Sequence, residues 1–330
     1  MTDRAGHDVH FDCVLGRCDT FRAEIYLRAT MPSGEPGGSL QGTLTGPECR
    51  RATTLPVTAR FGPAPGIGSP DTIVARVVLT EPAFWTPELP NCYRLDATVG
   101  VAGAEVAPCR RMVGLRRLGA RGRSLWLDGR RFVPRGHGGE ADVIDLEGFR
   151  QAGLTAVLAD PPEALLDRCD SEGVAMIACL VDTAARPLNA EAASRLIGAW
   201  AWHPAVLGAC LPVGLPHDQV AAVVAATRST RGTLLLALAV DGTRPPVAPP
   251  AGVDLIVLNL PAGGLPHPAW RLDSPPLPLI ACRREVLAAT ARSRRQCDAL
   301  QADLATWATV AGRRPDWDWA GYLVIPGDLV

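Results

Sequence analysis

The chain has 330 residues, 47% of them hydrophobic, with a mean hydropathy of +0.11. That is room for about two domains with packed cores, and it lies far from the composition of disordered chains. The 33 basic and 34 acidic residues form no long run of one sign, which argues against nucleic acid or an anionic membrane as the main partner. Every basic residue is arginine, so Schiff-base chemistry, pyridoxal phosphate attachment and a P-loop lysine are excluded, and no cofactor is expected.

In chain order, residues 1–118 read as a β-sandwich. The segment 20–31 alternates polar and apolar residues, and 38–46, 53–61, 72–80 and 93–102 follow between Gly/Pro-rich turns. Short strands at regular spacing with such punctuation are the mark of an all-β layer pair. Residues 119–330 change to strands alternating with helices, the sign of a parallel α/β domain. Strands are expected at 132–136, 154–160, 174–182, 205–213, 233–241, 253–261, 276–283 and 321–327, with helices at 142–153, 161–173, 189–202, 217–230 and 284–310. Asn189 is the expected N-cap of the third of these helices. Eight strands predict a compact (β/α)8 TIM barrel, with an open sheet as the alternative. The weak points are 242–252, too rich in proline for a helix, and 261–270.

The ten cysteines form no C-x-x-C pair and no zinc pattern, so no metal is expected and core thiols in a reducing, cytoplasmic compartment are. The start of the chain shows no signal peptide, and no apolar run is long enough to span a membrane.

In a barrel the working residues stand where strands end. Those positions hold His137, Asp160, Asp182, Asp241, Asn259 and Arg283, candidates for the barrel mouth. Asp160 and Asp182 close neighbouring strands and are the candidate carboxylate pair, although an aspartate after a strand is commonly a turn former. Cys282 lies beside Arg283 and Arg284, which would favour its thiolate, although buried packing is its expected role. His203 precedes its strand and is expected at the barrel bottom. So is Asp316-Trp317-Asp318-Trp319, as packing or a cap, or as a face for a protein partner.

Several stretches resemble glycoside hydrolase family 2, the family of β-galactosidases, β-glucuronidases and β-mannosidases. Trp85-Thr-Pro-Glu-Leu-Pro-Asn-Cys-Tyr93-Arg-Leu95 is similar to the end of that family's immunoglobulin-like domain. Residues 113–136, 145–178 and His203-Pro204-Ala205-Val206 resemble the start of its barrel, the strands that follow, and the opening of strand four. The resemblance implies an immunoglobulin-like sandwich followed by a TIM barrel, and O-glycosyl hydrolysis by two carboxylates. The pattern departs where those carboxylates would stand. The family's Asn-Glu after strand four falls on Val213-Gly214, which places the acid/base position at Gly214. The nucleophile position falls near Cys282. The expectation is a catalytically inactive pseudo-glycosidase that binds carbohydrate or serves as a scaffold. The alternatives are an active hydrolase with relocated carboxylates, and a protein-interaction module.

Overall fold

A computed structural model describes residues 9–31, 38–64, 67, 71–101, 104–273, 275–286, 290–309 and 318–327. They form two compact units, one of residues 1–85 with 89–115, the other of 86–88 with 116–330.

The first unit holds two four-stranded antiparallel sheets, consistent with a sandwich. Strands β1 (His10–Cys18), β2 (Arg22–Thr30), β5 (Gly62–Pro63) and β6 (Thr72–Thr80) run in the order β1-β2-β6-β5. The others, β3 (Gly38–Glu48), β4 (Val57–Arg60), β7 (Cys92–Val101) and β8 (Ala104–Val113), run β4-β3-β7-β8. Alternation sets the core: Ala23, Ile25, Leu27 and Ala29 of β2 are buried, as are Tyr93, Leu95, Ala97 and Val99 of β7. The Trp85–Tyr93 stretch is a latch. Trp85 is fully buried and its N–H donates to Leu115 O at 2.6 Å. Tyr93 Oη accepts from Ala83 N at 2.8 Å, and Asn91 Nδ2 donates to Phe84 O at 3.0 Å.

The second unit opens with a three-stranded antiparallel sheet, β9 (Leu118–Arg121), β10 (Ser124–Leu127) and β11 (Arg130–Phe132). Eight parallel strands then close a barrel: β12 (Arg135–Gly138), β13 (Thr155–Ala159), β14 (Met176–Cys179), β15 (Val206–Leu211), β16 (Leu235–Asp241), β17 (Leu255–Leu260), β18 (Leu279–Arg284) and β19 (Gly321–Ile325). The pairing of β12 with β19 closes the ring and removes the open-sheet alternative. The helices are α1 (Leu146–Gln151), α2 (Glu163–Glu172), α3 (Ala190–Ala201), α4 (His217–Thr227), α5 (Trp270–Asp273) and α6 (Thr290–Thr309). Asn189 caps α3 by accepting from Ala192 N at 2.8 Å. The helix expected from 284 starts later, at Thr290, because β18 runs on through Arg284 in register with Ile325. No helix follows β16. Among the described residues no helix is long and apolar enough to cross a membrane.

Two apolar layers hold the barrel. Val157, Ile177, Cys179, Cys210, Ala237, Val257, Cys282 and Leu323 fill the inside, and Leu118 and Leu125 of the small sheet join them from below. Outside, Ile256, Leu258, Leu260 and Val324 pack on Cys297, Leu300, Leu304 and Trp307 of α6. Trp319 belongs to this outer layer, its ring 6.2 Å from that of Trp307, and Asp318 pairs with Arg131 at 2.8 Å. Asp316 and Trp317 lie outside the described residues.

Below the strands, Arg116 is 3% exposed and binds three carbonyls: His203 O at 2.7 Å, Pro204 O at 3.1 Å and Val206 O at 2.5 Å. Its Nε donates to Thr233 Oγ1 at 2.9 Å. His203 Nδ1 lies 2.7 Å from Asp170 Oδ2, and Asp170 Oδ1 accepts from Ala205 N at 2.9 Å. Burial lowers the Arg116 pKa to about 10 and raises that of Asp170, the latter against the bond from His203. The expected bottom-face role of His203 is this clamp, which ties α2 to the start of β15.

Candidate functional site

The C-terminal end of the barrel is the place to look for chemistry. Its inner face is set by alternation along each strand. A Cβ on Gly136 would stand 2.4 Å from Leu323 and 2.9 Å from Val157, both inside the barrel. Gly136 therefore faces inward and His137 outward. The His137 ring packs on Phe149 of α1, 5.6 Å between centroids, and its buried Nδ1 has no hydrogen-bond partner. Arg283 also lies outside, its Nη1 2.5 Å from Asp303 Oδ2 on α6 and its Nε 2.7 Å from Glu285 Oε1. Both residues were expected at the mouth and stand in the outer layer instead.

The three strand-end aspartates serve their own loops. Asp160, at φ +39°, is ion-paired with Arg186 in the loop after β14. Asp182 Oδ1 accepts from Leu188 N at 2.8 Å, closing that same loop. Asp160 and Asp182 thus meet the 183–188 loop from two sides and fasten it. Asp241 Oδ1 accepts from the Thr243 hydroxyl at 2.6 Å and from Thr243 N at 3.0 Å, and its Oδ2 pairs with Arg244 at 3.1 Å. The Thr243 hydroxyl bond holds the Asp241 carboxyl below its ordinary range.

The buried layer inside the strand ends is apolar, while the inward parity of Ala237 and Ala239, and of Ile280 and Cys282, continues to Asp241 and Arg284 at the rim. Cys179, Cys210, Ala239, Cys282 and Ile325 are all buried in that layer, and Val213 packs down on them. Asn259, 7% exposed and in register with Cys282, supplies an amide on the same inward parity as Val257. Burial raises the Cys282 thiol, and neighbouring Cys179 raises it further, outweighing Arg284. Cys282 is the buried packing thiol that was expected, and the nearby arginine does not offset its burial. Gly214 follows as an exposed turn residue at φ +89°, with open space around its Cα.

The Asp167, Asp170 and His203 ligand-type atoms lie within 4.8 Å of one another. The sequence reading missed this cluster, which the i, i+3 spacing of the two aspartates on α2 could have flagged. The clamp already uses His203 Nδ1 and both Asp170 oxygens, so the group is explained by its own hydrogen bonds.

Burial also lowers the His137 pKa below 6.5. The unfolded chain then takes up this proton first as pH falls, so stability is full above about 6.5 and declines below it. A His137→Phe variant should lose less of its melting temperature between about pH 7.5 and 5 than the parent. Equal losses would show that His137 does not titrate this way.

No family model and no curated protein sequence matches the chain. Solved structures do. The β-glucuronidase of Bifidobacterium dentium, solved with coumarin-3-O-glucuronide, aligns with a TM-score of 0.64 at 14% identity, over 96% of this chain and 60% of that one. The Ruminococcus gnavus β-glucuronidase, in complex with D-glucaro 1,5-lactone, gives 0.64 at 12% identity, over 96% and 62%. A Bacteroides uniformis β-glucuronidase gives 0.61 at 13%, over 95% and 45%. The chain thus spans about half to three-fifths of the length of these structures. Its resemblance to the β-galactosidase and β-glucuronidase group holds at the level of fold: an eight-stranded parallel barrel with antiparallel sheets.

Proposed function

We propose that this chain is a non-hydrolytic member of the glycosidase-fold group, a pseudo-glycosidase with a carbohydrate-binding or scaffolding role. The observation that carries this reading is the buried apolar layer of Cys179, Cys210, Ala239, Cys282 and Ile325 inside the strand ends, where the thiol of Cys282 stands near the nucleophile position of the family pattern. Glycosidic cleavage needs one carboxyl to protonate the leaving oxygen and a second to attack or to activate water, about 5–9.5 Å apart. Gly214 and Cys282 occupy the positions where the family pattern has them, and neither side chain performs either task at neutral pH. A relocated pair would come from Asp160, Asp182 and Asp241: Asp160 Oδ2 is held by Arg186 while its Oδ1 is buried without a hydrogen-bond partner, Asp182 Oδ1 accepts from Leu188 N, and both Asp241 oxygens are engaged by Thr243 and Arg244.

Carbohydrate enters the proposal by analogy with the glucuronide and lactone bound by the structural neighbours. The sandwich is read as immunoglobulin-like on the strength of the Trp85–Leu95 stretch, and the free cysteines favour a reducing compartment.

The test is release of p-nitrophenol from the β-glucuronide, β-galactoside and β-mannoside. The expected rate is that of buffer alone. Turnover that disappears in Asp182→Ala would overturn the proposal in favour of relocated carboxylates. A thermal-shift titration with the same glycosides separates a sugar binder from a scaffold, because a ligand of the folded state raises the melting temperature with dose.

A further inference from the structure

The missing helix after β16 has left a pocket. Leu238 and Val240 point to the outer face of that strand, since Ala237 and Ala239 take the inner one. In their neighbourhood runs Arg244-Pro-Pro-Val-Ala-Pro-Pro250, without regular structure. Each proline fixes its own φ and holds the residue before it extended, so this strap is stiff. It is also fastened at both ends. Trp270 Nε1 donates to Arg244 O at 2.8 Å, Asp241 holds Thr243 and Arg244, and Pro250 is buried.

Strap, strand and α4 enclose about 390 Å³, a volume typical of small-molecule sites, which are mostly apolar with a few polar groups. The walls include Val213, Val220, Leu238, Val240, Val247 and Trp270, and the polar groups are His217, Asp241 and Arg244. The charges discriminate between ligands. Both Asp241 oxygens are engaged, so a cationic ligand would have to displace Arg244 or Thr243. Arg244 spends its Nε on Asp241, and its side chain is 81% exposed, which leaves the two Nη groups to grip a planar anion. A sugar would set hydroxyls against aliphatic walls without partners.

We propose that this pocket binds a small amphipathic monocarboxylate, its carboxylate on Arg244 and its aliphatic or aryl body against Leu238, Val240 and Val247. The pocket reaches the barrel mouth at Val213, Gly214 and Ala239, and the proposal stands whether or not the barrel hydrolyses glycosides.

The test is calorimetric titration of the full chain with 4-phenylbutyrate and, separately, its neutral amide. The expected result is saturable one-to-one binding of the acid, at least about tenfold tighter than the amide. Arg244→Gln should abolish that preference by weakening the acid at least about tenfold more than the amide. Val247→Trp, on a side chain that is 77% exposed, should fill the pocket and weaken both ligands. Because Arg244 is exposed, its variant keeps the test valid should the tryptophan variant fold poorly. The proposal is overturned by equal affinity for acid and amide, by acid binding that survives Arg244→Gln, or by no saturable heat up to about 10 mM ligand.

Discussion

Arg116→Met should destabilise the barrel unit by about 3–5 kcal/mol and lower its melting temperature by about 10 °C. Methionine matches the length of the side chain but donates nothing. The carbonyls of His203, Pro204 and Val206 would lose their shared donor, and Thr233 its partner. Each buried acceptor left bare costs about 1–3 kcal/mol. Asp170 would also lose the positive charge that helps it remain ionised against burial. Against a total stability of about 5–15 kcal/mol this is a large share. Lysine would rescue the site only in part, because one ammonium can take the place of Nη1 toward the three carbonyls but cannot also serve Thr233 as Nε does. Chemical denaturation of the two variants beside the parent decides the matter. A loss below about 1 kcal/mol would mean that water takes over the carbonyls and that the clamp is dispensable.

Cys282→Glu is the second large effect, and it bears on the proposed absence of hydrolysis. The substitution puts a carboxylate near the nucleophile position that the resemblance implies. Here it would sit among Cys179, Ile280, Ile325 and Val257, with no exposure to solvent. An ionised carboxylate in such a place costs several kcal/mol, so the group would hold its proton well above the usual value of about 4.3. The sign follows from linkage. The unfolded chain releases the proton first as pH rises, so the deficit grows from about pH 4.3 upward until the folded-state pKa is passed. The expected loss against the parent is about 3–5 kcal/mol at pH 8 and much less at pH 4, with Cys282→Ser showing no such slope. A pH-independent and small loss would mean a solvated mouth, and the non-hydrolytic reading would lose its main support.

The barrel was legible because strands buried on both faces read as unbroken apolar runs. Val206–Leu211 and Leu255–Leu260 are buried at every position. The cap at Asn189 and the helix-free stretch after Asp241 were legible for local reasons, side-chain chemistry and proline. The small β9–β11 sheet was not, because its strands are four residues or fewer, too short for a period to show. Nor was Arg116, which stands beside Arg117 in the sequence with nothing to mark it as buried. The candidate site failed in a particular way. A strand end can be found from sequence, but which of two adjacent residues faces inward depends on a parity that only the closed ring decides. In Arg135–Gly138 two glycines carry no side chain to show it, and His137 turned out on the far side. At β18 Cys282 and Arg283 exchange the inside and outside that a search for a charged mouth would assign.

The thiols inside the barrel have a use of their own. Cys179, Cys210 and Cys282 are each at most 1% exposed, between Leu118 and Leu125 below and Val213 above. A bulky thiol reagent reaches them only when the ring of strands parts, whereas Cys13, Cys18 and Cys49 lie partly exposed in the other unit. Labelling followed by peptide mass would therefore set a fast clock and a slow one apart within one molecule, once the buried Cys92, Cys109, Cys169 and Cys297 are resolved as separate peptides. The fast one reports surface access in the sandwich, and the slow one the opening rate of the barrel.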